Sequence, residues 1–269
     1  MDIFGLKSLL LLMLVFIPLE RLLPLHHGQK VLRPKWTTDL TYVFLNGFLV
    51  RFGLVVVILS ITALSSWAMP AAMLAWVGSL PIWVQFPAIL VLSDLGFYAM
   101  HRLFHTPLLW RFHAVHHSIE HLDWLAGHRV HPVDQILTKA GSYIPVFALG
   151  FSDAAIILAA TVYFWHSVLL HSNVRVNFGP LRWIVASPQF HHWHHANQPE
   201  AYDKNFAGQL SVIDVLFGTF RVPGQALPEL YGTGDKVPDG YVPQFFYPFK
   251  AQPGVAEAAP SPGLEIHRA

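Results

Sequence analysis

The sequence predicts an all-α integral membrane protein, a helical bundle that carries a cytoplasmic helical cap. Of its 269 residues, 54% are hydrophobic and 12% are charged, against about 45–50% and about 25% in a typical soluble domain. Several apolar stretches reach the roughly 20 residues that a membrane-spanning helix needs. The more polar segments are rich in histidine. A net charge of +1 without a basic run gives no indication of a nucleic-acid partner.

Three apolar segments are predicted to cross the membrane before the first histidine cluster. They cover about residues 3–23, 40–66 and 82–100. The first is expected to be an uncleaved anchor, because no small-residue cleavage site follows it. The connection between the first two carries four basic residues, Arg21, Lys30, Arg33 and Lys35. By the positive-inside rule this connection is cytoplasmic, so the third crossing should end on the cytoplasmic side.

The fourth apolar region, about residues 136–170, is predicted to be a bent hairpin that enters and leaves the membrane on one side. Gly150 can end its first helix, and Ser152 or Asp153 can cap the second. Each half is short for a full crossing. An even number of crossings also lets the histidine clusters before and after the hairpin meet.

These segments predict one membrane-embedded domain over residues 1–250. Its cytoplasmic cap is expected to comprise residues 101–135 and 173–250. Residues 251–269 are rich in Pro, Gly and Ala, which predicts a disordered tail.

Three histidine clusters dominate the polar segments: His101-Arg-Leu-Phe-His105, His113-Ala-Val-His116-His117 and His191-His-Trp-His194-His195. Residues three and four apart share a helix face, so each cluster predicts a partial coordination shell. A single metal site closes with about three or four protein ligands, and eight imidazoles therefore predict a dimetal site. Imidazole suits Zn, Cu, Fe and Ni, and the spacing leaves the metal open. The intervening His192 is expected to be structural.

Further motifs accompany the clusters in a fixed order: Trp110-Arg-Phe-His113, Arg129-Val-His131-Pro132, His171-Ser-Asn173, Asp203-Lys-Asn205-Phe-Ala-Gly and Asp214-Val-Leu-Phe-Gly-Thr-Phe220. Together they resemble the fatty acid hydroxylase / sterol desaturase superfamily over about residues 94–220. The resemblance implies a membrane-bound non-haem di-iron oxygenase with two iron ions. It also implies that O₂ is the co-substrate and that a lipid such as a sterol or fatty acyl chain is hydroxylated or desaturated.

The resemblance extends the ligand set beyond the eight clustered histidines. His171 matches a family histidine after the hairpin, and as a ninth ligand it would help to close the shell of the second ion. His131 matches the His-Pro position of the family, as a ligand or as a hydrogen-bond partner of one. His128 and His166 match no position firmly, and their roles stay open.

Polar residues near the histidines are candidates for orienting the ligands or for binding metal: Asp94, Tyr98, Asp203, Asn205 and Asp214. Metal-bound imidazoles usually donate their second N–H to a carboxylate or a carbonyl. Asp94 and Tyr98 lie on the same helical stripe as His101, so one of them is expected to reach a ligand histidine. The alternative is that the five residues cap helices or pair with Arg182 or Lys204.

The oxygenase interpretation needs an external electron donor, because the sequence has no convincing nucleotide-binding motif. A reductase, ferredoxin or cytochrome-type donor is expected to dock on a basic cytoplasmic face near Arg102, Arg111, Arg129 and Arg182. Two alternative functions predict different sequence features. A membrane metal transporter or sensor should hold its ligands within the spans, and a zinc-dependent membrane hydrolase should carry a motif such as His-Glu-x-x-His.

Overall fold

The structure is a computed structural model that describes residues 6–250, and within these residues it contains helices and no β-strand. The α-helices are α1 (Leu6–Leu22), α2 (Trp36–Ala68), α3 (Ala71–Ser79), α4 (Ile82–Phe104), α5 (Trp110–His117), α6 (Pro132–Ala148), α7 (Asp153–His171), α8 (Pro188–His194), α9 (Ser211–Leu216) and α10 (Tyr241–Phe246). The predicted all-α fold is confirmed. The predicted tail, residues 251–269, lies outside the described residues.

Three of the described helices, α2, α4 and α7, are long and apolar enough to cross a membrane. The 33 residues of α2 extend for about 50 Å, which exceeds the roughly 30 Å of a bilayer's hydrocarbon core. Helix α2 is therefore longer than a single crossing requires. In its first turns, Asn46 donates a hydrogen bond to the Val130 carbonyl (2.5 Å) and Tyr42 packs on Tyr241.

Two segments differ from the predicted topology. The connection between the second and third predicted spans contains the apolar helix α3, which starts after Pro70. In the hairpin, Gly150 adopts φ +75° and Ser152 caps α7 by accepting from the Ala155 N–H. However, α7 has 19 residues and is long enough to span, so the expectation that both halves are too short is wrong for this helix.

Helix α4 packs closely against α6 and α7. A β-carbon placed on Gly96 would overlap the carbonyl of Gly141, and one placed on Gly141 would overlap the side chain of Met100. Small residues of this kind allow membrane helices to approach closely. Because His101 follows Gly96 by little more than one turn, this contact also fixes the end of α4 that carries histidines.

A buried ion network connects the α1–α2 loop to the segment after α5. Arg33 bonds both Asp39 (2.5 Å) and Asp123 (2.8 Å), and Arg129 bonds Asp39 (2.5 Å). The α1–α2 loop therefore lies at the same end of the molecule as the histidines. Arg129 is only 1% exposed, so its predicted place on a basic docking face is wrong.

Candidate metal centre

Nine histidines lie together where α4, α5, α7 and α8 meet, and they are the nine that the sequence predicts as ligands. They form a five-histidine group of His101, His105, His113, His117 and His194, and a four-histidine group of His116, His171, His191 and His195. Within each group, one ring nitrogen from every histidine lies within 4.8 Å of the others. The nine side chains thus form two candidate metal sites.

The two groups do not correspond to the sequence clusters. The neighbours His116 and His117 belong to different groups, and so do His194 and His195. His101 and His105, one turn apart at the end of α4, both join the five-histidine group. His171 supplies the fourth member of the other group, the position that the family resemblance implied for it.

Within each group the Nε2 atoms face one another at about 3 Å. The measured separations are 3.0 Å for His101–His113, 3.0 Å for His117–His194, 3.2 Å for His116–His171, 2.9 Å for His171–His191 and 3.1 Å for His191–His195. Imidazole nitrogens bind transition metals at about 2.0–2.1 Å. Neighbouring ligands on one ion therefore lie about 3 Å apart, which matches these separations.

The opposite ring nitrogen, Nδ1, faces an acceptor in six of the nine histidines. The acceptors are the carbonyls of Phe206 for His101 (2.6 Å), Arg129 for His116 (3.0 Å), Ser167 for His171 (2.8 Å) and Lys204 for His194 (2.8 Å), and the carboxylates of Asp134 for His113 (2.7 Å) and Asp203 for His105 (3.3 Å). Since a carbonyl oxygen only accepts, Nδ1 carries the hydrogen. The Nε2 lone pair of each neutral ring then points into its group.

This tautomer pattern tests whether the residues fit metal ions. The lone pairs of His101 and His113 oppose each other without a hydrogen between them, as do those of His116 and His171. His105 Nε2 is buried without a partner among the described residues. Opposed, buried lone pairs are unfavourable unless a cation lies between them. The nine residues therefore fit two metal ions with nitrogen ligands.

Burial also keeps these rings neutral. Loss of solvent lowers the pKa of His113, His116 and His194 well below the ordinary histidine value. Neighbouring histidines lower the pKa of each ring further. The rings are therefore uncharged near neutral pH, the state in which imidazole binds metals.

Of the polar candidates, Asp203 contacts a histidine directly: its carboxylate lies 3.3 Å from the Nδ1 atom of His105. Asp94 instead accepts hydrogen bonds from the backbone N–H groups of residues 208–210. The Tyr98 hydroxyl is bonded to Thr219 (3.0 Å) and to Arg102 (3.3 Å). The expectation that Asp94 or Tyr98 reaches a ligand histidine is wrong, because both bind the neighbouring 205–220 segment.

Asp214 and Asn205 shape the loop that contacts the five-histidine group. Asp214 accepts from the N–H groups of Phe206 and Ala207, both at 2.8 Å, and the Phe206 carbonyl in turn accepts from His101. The Asn205 amide donates to the Phe190 and Arg221 carbonyls. Neither residue touches a histidine of the two groups, and Asp214 acts on His101 through the backbone.

His131 lies outside both groups, so its candidacy as a ligand is corrected. Its Nδ1 accepts from the Val133 N–H at the start of α6, and its Nε2 donates to the Phe245 carbonyl (3.0 Å). Both nitrogens are thus engaged in capping and packing. Three further histidines bond carbonyls: His128 that of Leu125, His166 that of Ala186 and His192 that of Ser172.

Sequence reasoning missed Asp134, the carboxylate that binds His113. Its Oδ2 accepts from His113 (2.7 Å), and its Oδ1 accepts from the Thr138 hydroxyl (3.0 Å). Its position in the first turn of α6 suggested a favourable charge near a helix N-terminus and nothing more specific. The His-Pro motif two residues earlier is the signal that could have drawn attention to it.

A cavity of about 1080 Å³ lies between α2, α4, α6 and α7. Histidines of both groups line it, His101 and His113 from one and His116, His171 and His191 from the other. Away from the histidines its walls are mostly aliphatic and aromatic side chains of these helices. The cavity exceeds the roughly 300–1,000 Å³ of typical small-molecule sites, so it can accommodate a large apolar ligand beside the histidines.

Residues 86–219, which include all nine histidines, match the sequence profile of the family described as fatty acid hydroxylase. Through this segment the chain belongs to the fatty acid hydroxylase family. The fatty acid hydroxylase segment runs from α4 to α9, so it contains the two histidine groups and the loop that binds His101. Helices α1 to α3 precede it, and α2 supplies one wall of the cavity.

Curated relatives of this chain include an ornithine lipid hydroxylase, OlsE, of Rhizobium tropici. It is 34% identical over 175 residues, which cover 65% of this chain and 53% of the relative. Alkylglycerol monooxygenases of Homo sapiens and Xenopus tropicalis are 32% and 29% identical, covering 56% and 55% of this chain and 33% and 32% of those proteins. The chain thus spans about a third to a half of these relatives' length. No solved structure matches it significantly.

Proposed function

We propose that this protein is a membrane-bound non-haem di-iron oxygenase that uses O₂ to hydroxylate or desaturate a lipid. The observation that carries the proposal is that both histidine groups line one large cavity between membrane-spanning helices. Relatives named as an ornithine lipid hydroxylase and as alkylglycerol monooxygenases support a lipid substrate. Entry from the bilayer between the helices would bring a C–H bond beside the histidines without passage through water.

The five-histidine group would hold one iron ion, and the four-histidine group would hold the other. When bound, iron supplies the redox chemistry by which O₂ is reduced and a C–H bond is oxidised. For hydroxylation, one oxygen atom enters the lipid and the other leaves as water, with two electrons and two protons consumed. An external donor, a reductase, ferredoxin or cytochrome-type protein, would supply the electrons.

The chain's own residues prepare the site for this chemistry. Carbonyls and the carboxylates of Asp134 and Asp203 hold the Nδ1 hydrogens and so orient the rings. The apolar walls keep bulk water away from the cavity, which limits unproductive reduction of O₂. By the positive-inside rule, the basic α1–α2 loop would place the histidine end on the cytoplasmic side.

Metal analysis combined with lipid oxidation tests the proposal. We expect the purified full-length protein to hold about two iron ions per chain, as two sets of histidines imply. With a chemical reductant and O₂, it should add one oxygen atom to a membrane lipid or remove two hydrogen atoms, measured by mass spectrometry. Metal transport without oxidation, or one bound zinc with ester cleavage, would contradict it in favour of the alternatives.

Single histidine variants test the ligand assignment. In the five-histidine group, the Nε2 atoms of His117 and His194 face each other. His117→Ala and His194→Ala each remove one of these two atoms, so bound iron should fall in both variants. The exposed His121 provides a matched control, and His121→Ala should retain the full metal content. Undiminished iron in both site variants would overturn the assignment.

A further inference from the structure

The cavity wall carries two cationic side chains, Lys139 on α6 and Arg51 on α2. Asp134 is the one carboxylate among the described residues that line the cavity, and its oxygens are already bonded to His113 and Thr138. The positive charges of Arg51 and Lys139 repel each other. The lining of the cavity therefore carries more positive than negative charge.

Lys139 is the more informative of the two cations. In the described part of the chain, its ammonium makes no hydrogen bond and no ion pair, although the side chain is half-buried. An ammonium group without a counter-ion is costly at membrane depth. It lies seven residues into α6, about 10 Å along the axis from Pro132, and five residues beyond Asp134, which contacts His113. Lys139 therefore lies farther along α6 than Asp134, on the wall of the same cavity.

Arg51 is expected to lie close to the membrane surface. The first turns of α2, up to Asn46, pack against Val130 and Tyr241, so they are not available to span the bilayer. The remaining 22 residues, 47–68, extend for about 33 Å, close to the thickness of that core. The exposed Arg51 is thus about one turn below the surface, the depth at which a lipid headgroup meets its acyl chains.

We propose that the cavity selects lipids with an acidic headgroup, a carboxylate or a phosphate, which forms an ion pair with Lys139 beside the second positive charge of Arg51. This inference rests on the proposed function for the identity of the site and adds the substrate class. The apolar chain of the lipid would contact side chains such as Leu54, Ile58 and Phe147, which line the cavity away from the histidines. Neutral lipids of the same length would lack the ion pair.

Binding measurements test this without requiring turnover. The full-length protein, as purified with its metal, is placed in phosphatidylcholine nanodiscs and titrated with radiolabelled stearate, methyl stearate, lysophosphatidate and monoacylglycerol. We expect at least one acid to bind about tenfold more tightly than its neutral counterpart, the effect of one charge-assisted contact. The acid that shows this preference identifies the headgroup as a carboxylate or a phosphate.

Variants assign the preference to Lys139. In Lys139→Met the ratio of neutral to acidic dissociation constants should fall to about one, whereas Lys139→Arg should retain it. Lys236 is exposed and does not line the cavity, so Lys236→Met is the matched control and should behave like the natural sequence. Unchanged binding of the neutral lipid by Lys139→Met shows that the cavity is intact.

Two outcomes would overturn the inference: a ratio of about one for both acids with the natural sequence, or an undiminished ratio in Lys139→Met. Because binding is measured apart from oxidation, either result would leave the oxygenase proposal standing. Conversely, acid-selective binding without any O₂-dependent oxidation would contradict the oxygenase proposal alone.

Discussion

Two carboxylates bond histidines of the two groups, and Asp134 makes the shorter contact. Its Oδ2 atom lies 2.7 Å from His113 Nδ1, whereas Asp203 lies 3.3 Å from His105 Nδ1. A carboxylate in this position fixes the ring tautomer and raises the basicity of the opposite nitrogen. Backbone carbonyls serve the same purpose for four other histidines. Asp134 therefore differs from most of the orienting groups in that a substitution can remove its charge.

Asp134→Asn should weaken metal binding while the fold persists. The amide keeps the size of the carboxylate but loses its charge, and the loss of such a partner typically lowers metal affinity about 10–100-fold. Competition with a chelator measures this change. The exposed Asp239, which pairs with Lys35, provides the control Asp239→Asn, and an equal metal affinity in both variants would contradict the role of Asp134.

His171→Ala and His131→Ala should separate a ligand from a helix cap. The first removes one of four facing nitrogens, so about one metal ion per chain should be lost. The second should keep both ions but lower stability by about 1 kcal/mol, because α6 loses its N-cap. Metal analysis and thermal unfolding of both variants check this, and metal loss in His131→Ala alone would reverse the assignment.

At the residue scale, helical spacing identified eight of the nine grouped histidines, and the family resemblance added His171. The division into groups was not predictable, because whether His116 and His117 face different partners depends on how α5 is placed against α7 and α8. Four of the orienting groups are backbone carbonyls, which every residue has and no sequence pattern marks. Asp134 was missed because its role depends on a contact 21 positions away in the chain.

At the scale of the helices, the contact of α4 with α6 determines where His101 and Asp134 lie relative to each other. This contact depends on Gly96 and Gly141, since a β-carbon on Gly96 would overlap the Gly141 carbonyl. Backbone atoms cannot move aside as a flexible side chain can. The two helices would have to separate.

Gly96→Ala should therefore destabilise the protein by about 1–3 kcal/mol, the usual cost of overpacking, and should reduce bound metal. Gly47, in α2, has no atom within 4 Å of the position of an added β-carbon. Gly47→Ala is thus the matched control and should be neutral. Thermal unfolding in detergent measures both, and equal melting temperatures would show that the α4–α6 contact tolerates the methyl group.

Hydropathy predicted the long helices well because apolar length is a property of the segment itself. The predicted spans 40–66 and 82–100 fall within α2 and α4, and the hairpin turn lies at Gly150. The extension of α2 to Trp36 and of α4 to Phe104 was not predicted, because these ends are less apolar and hydropathy does not report their contacts with other parts of the chain. The helix α3 was missed because its nine residues are too few to span a membrane.

At the scale of the whole molecule, the histidine end and the α1–α2 loop lie together, which allows the orientation in the membrane to be tested. The sequence contains no cysteine, so single cysteines can be introduced without background labelling. Lys30 is exposed in the α1–α2 loop, and Ser79 is exposed at the end of α3.

In intact cells, a membrane-impermeant maleimide should label Ser79→Cys, whereas Lys30→Cys should react only after lysis. This result follows if the basic loop is cytoplasmic. Electrophoretic shift of the labelled protein measures both variants, and denatured samples control for the reactivity of each cysteine. The reverse labelling pattern would place the histidine end on the outer side of the membrane.

The division of neighbouring residues between the two histidine groups has a mechanical consequence. Between His116 and His117, and again between His194 and His195, a single peptide unit joins one group to the other. Consecutive Cα atoms are held about 3.8 Å apart by covalent geometry, so the spacing of the two groups cannot vary as freely as that of sites on separate helices. Any displacement of the backbone at either pair would therefore move a ligand of both groups together.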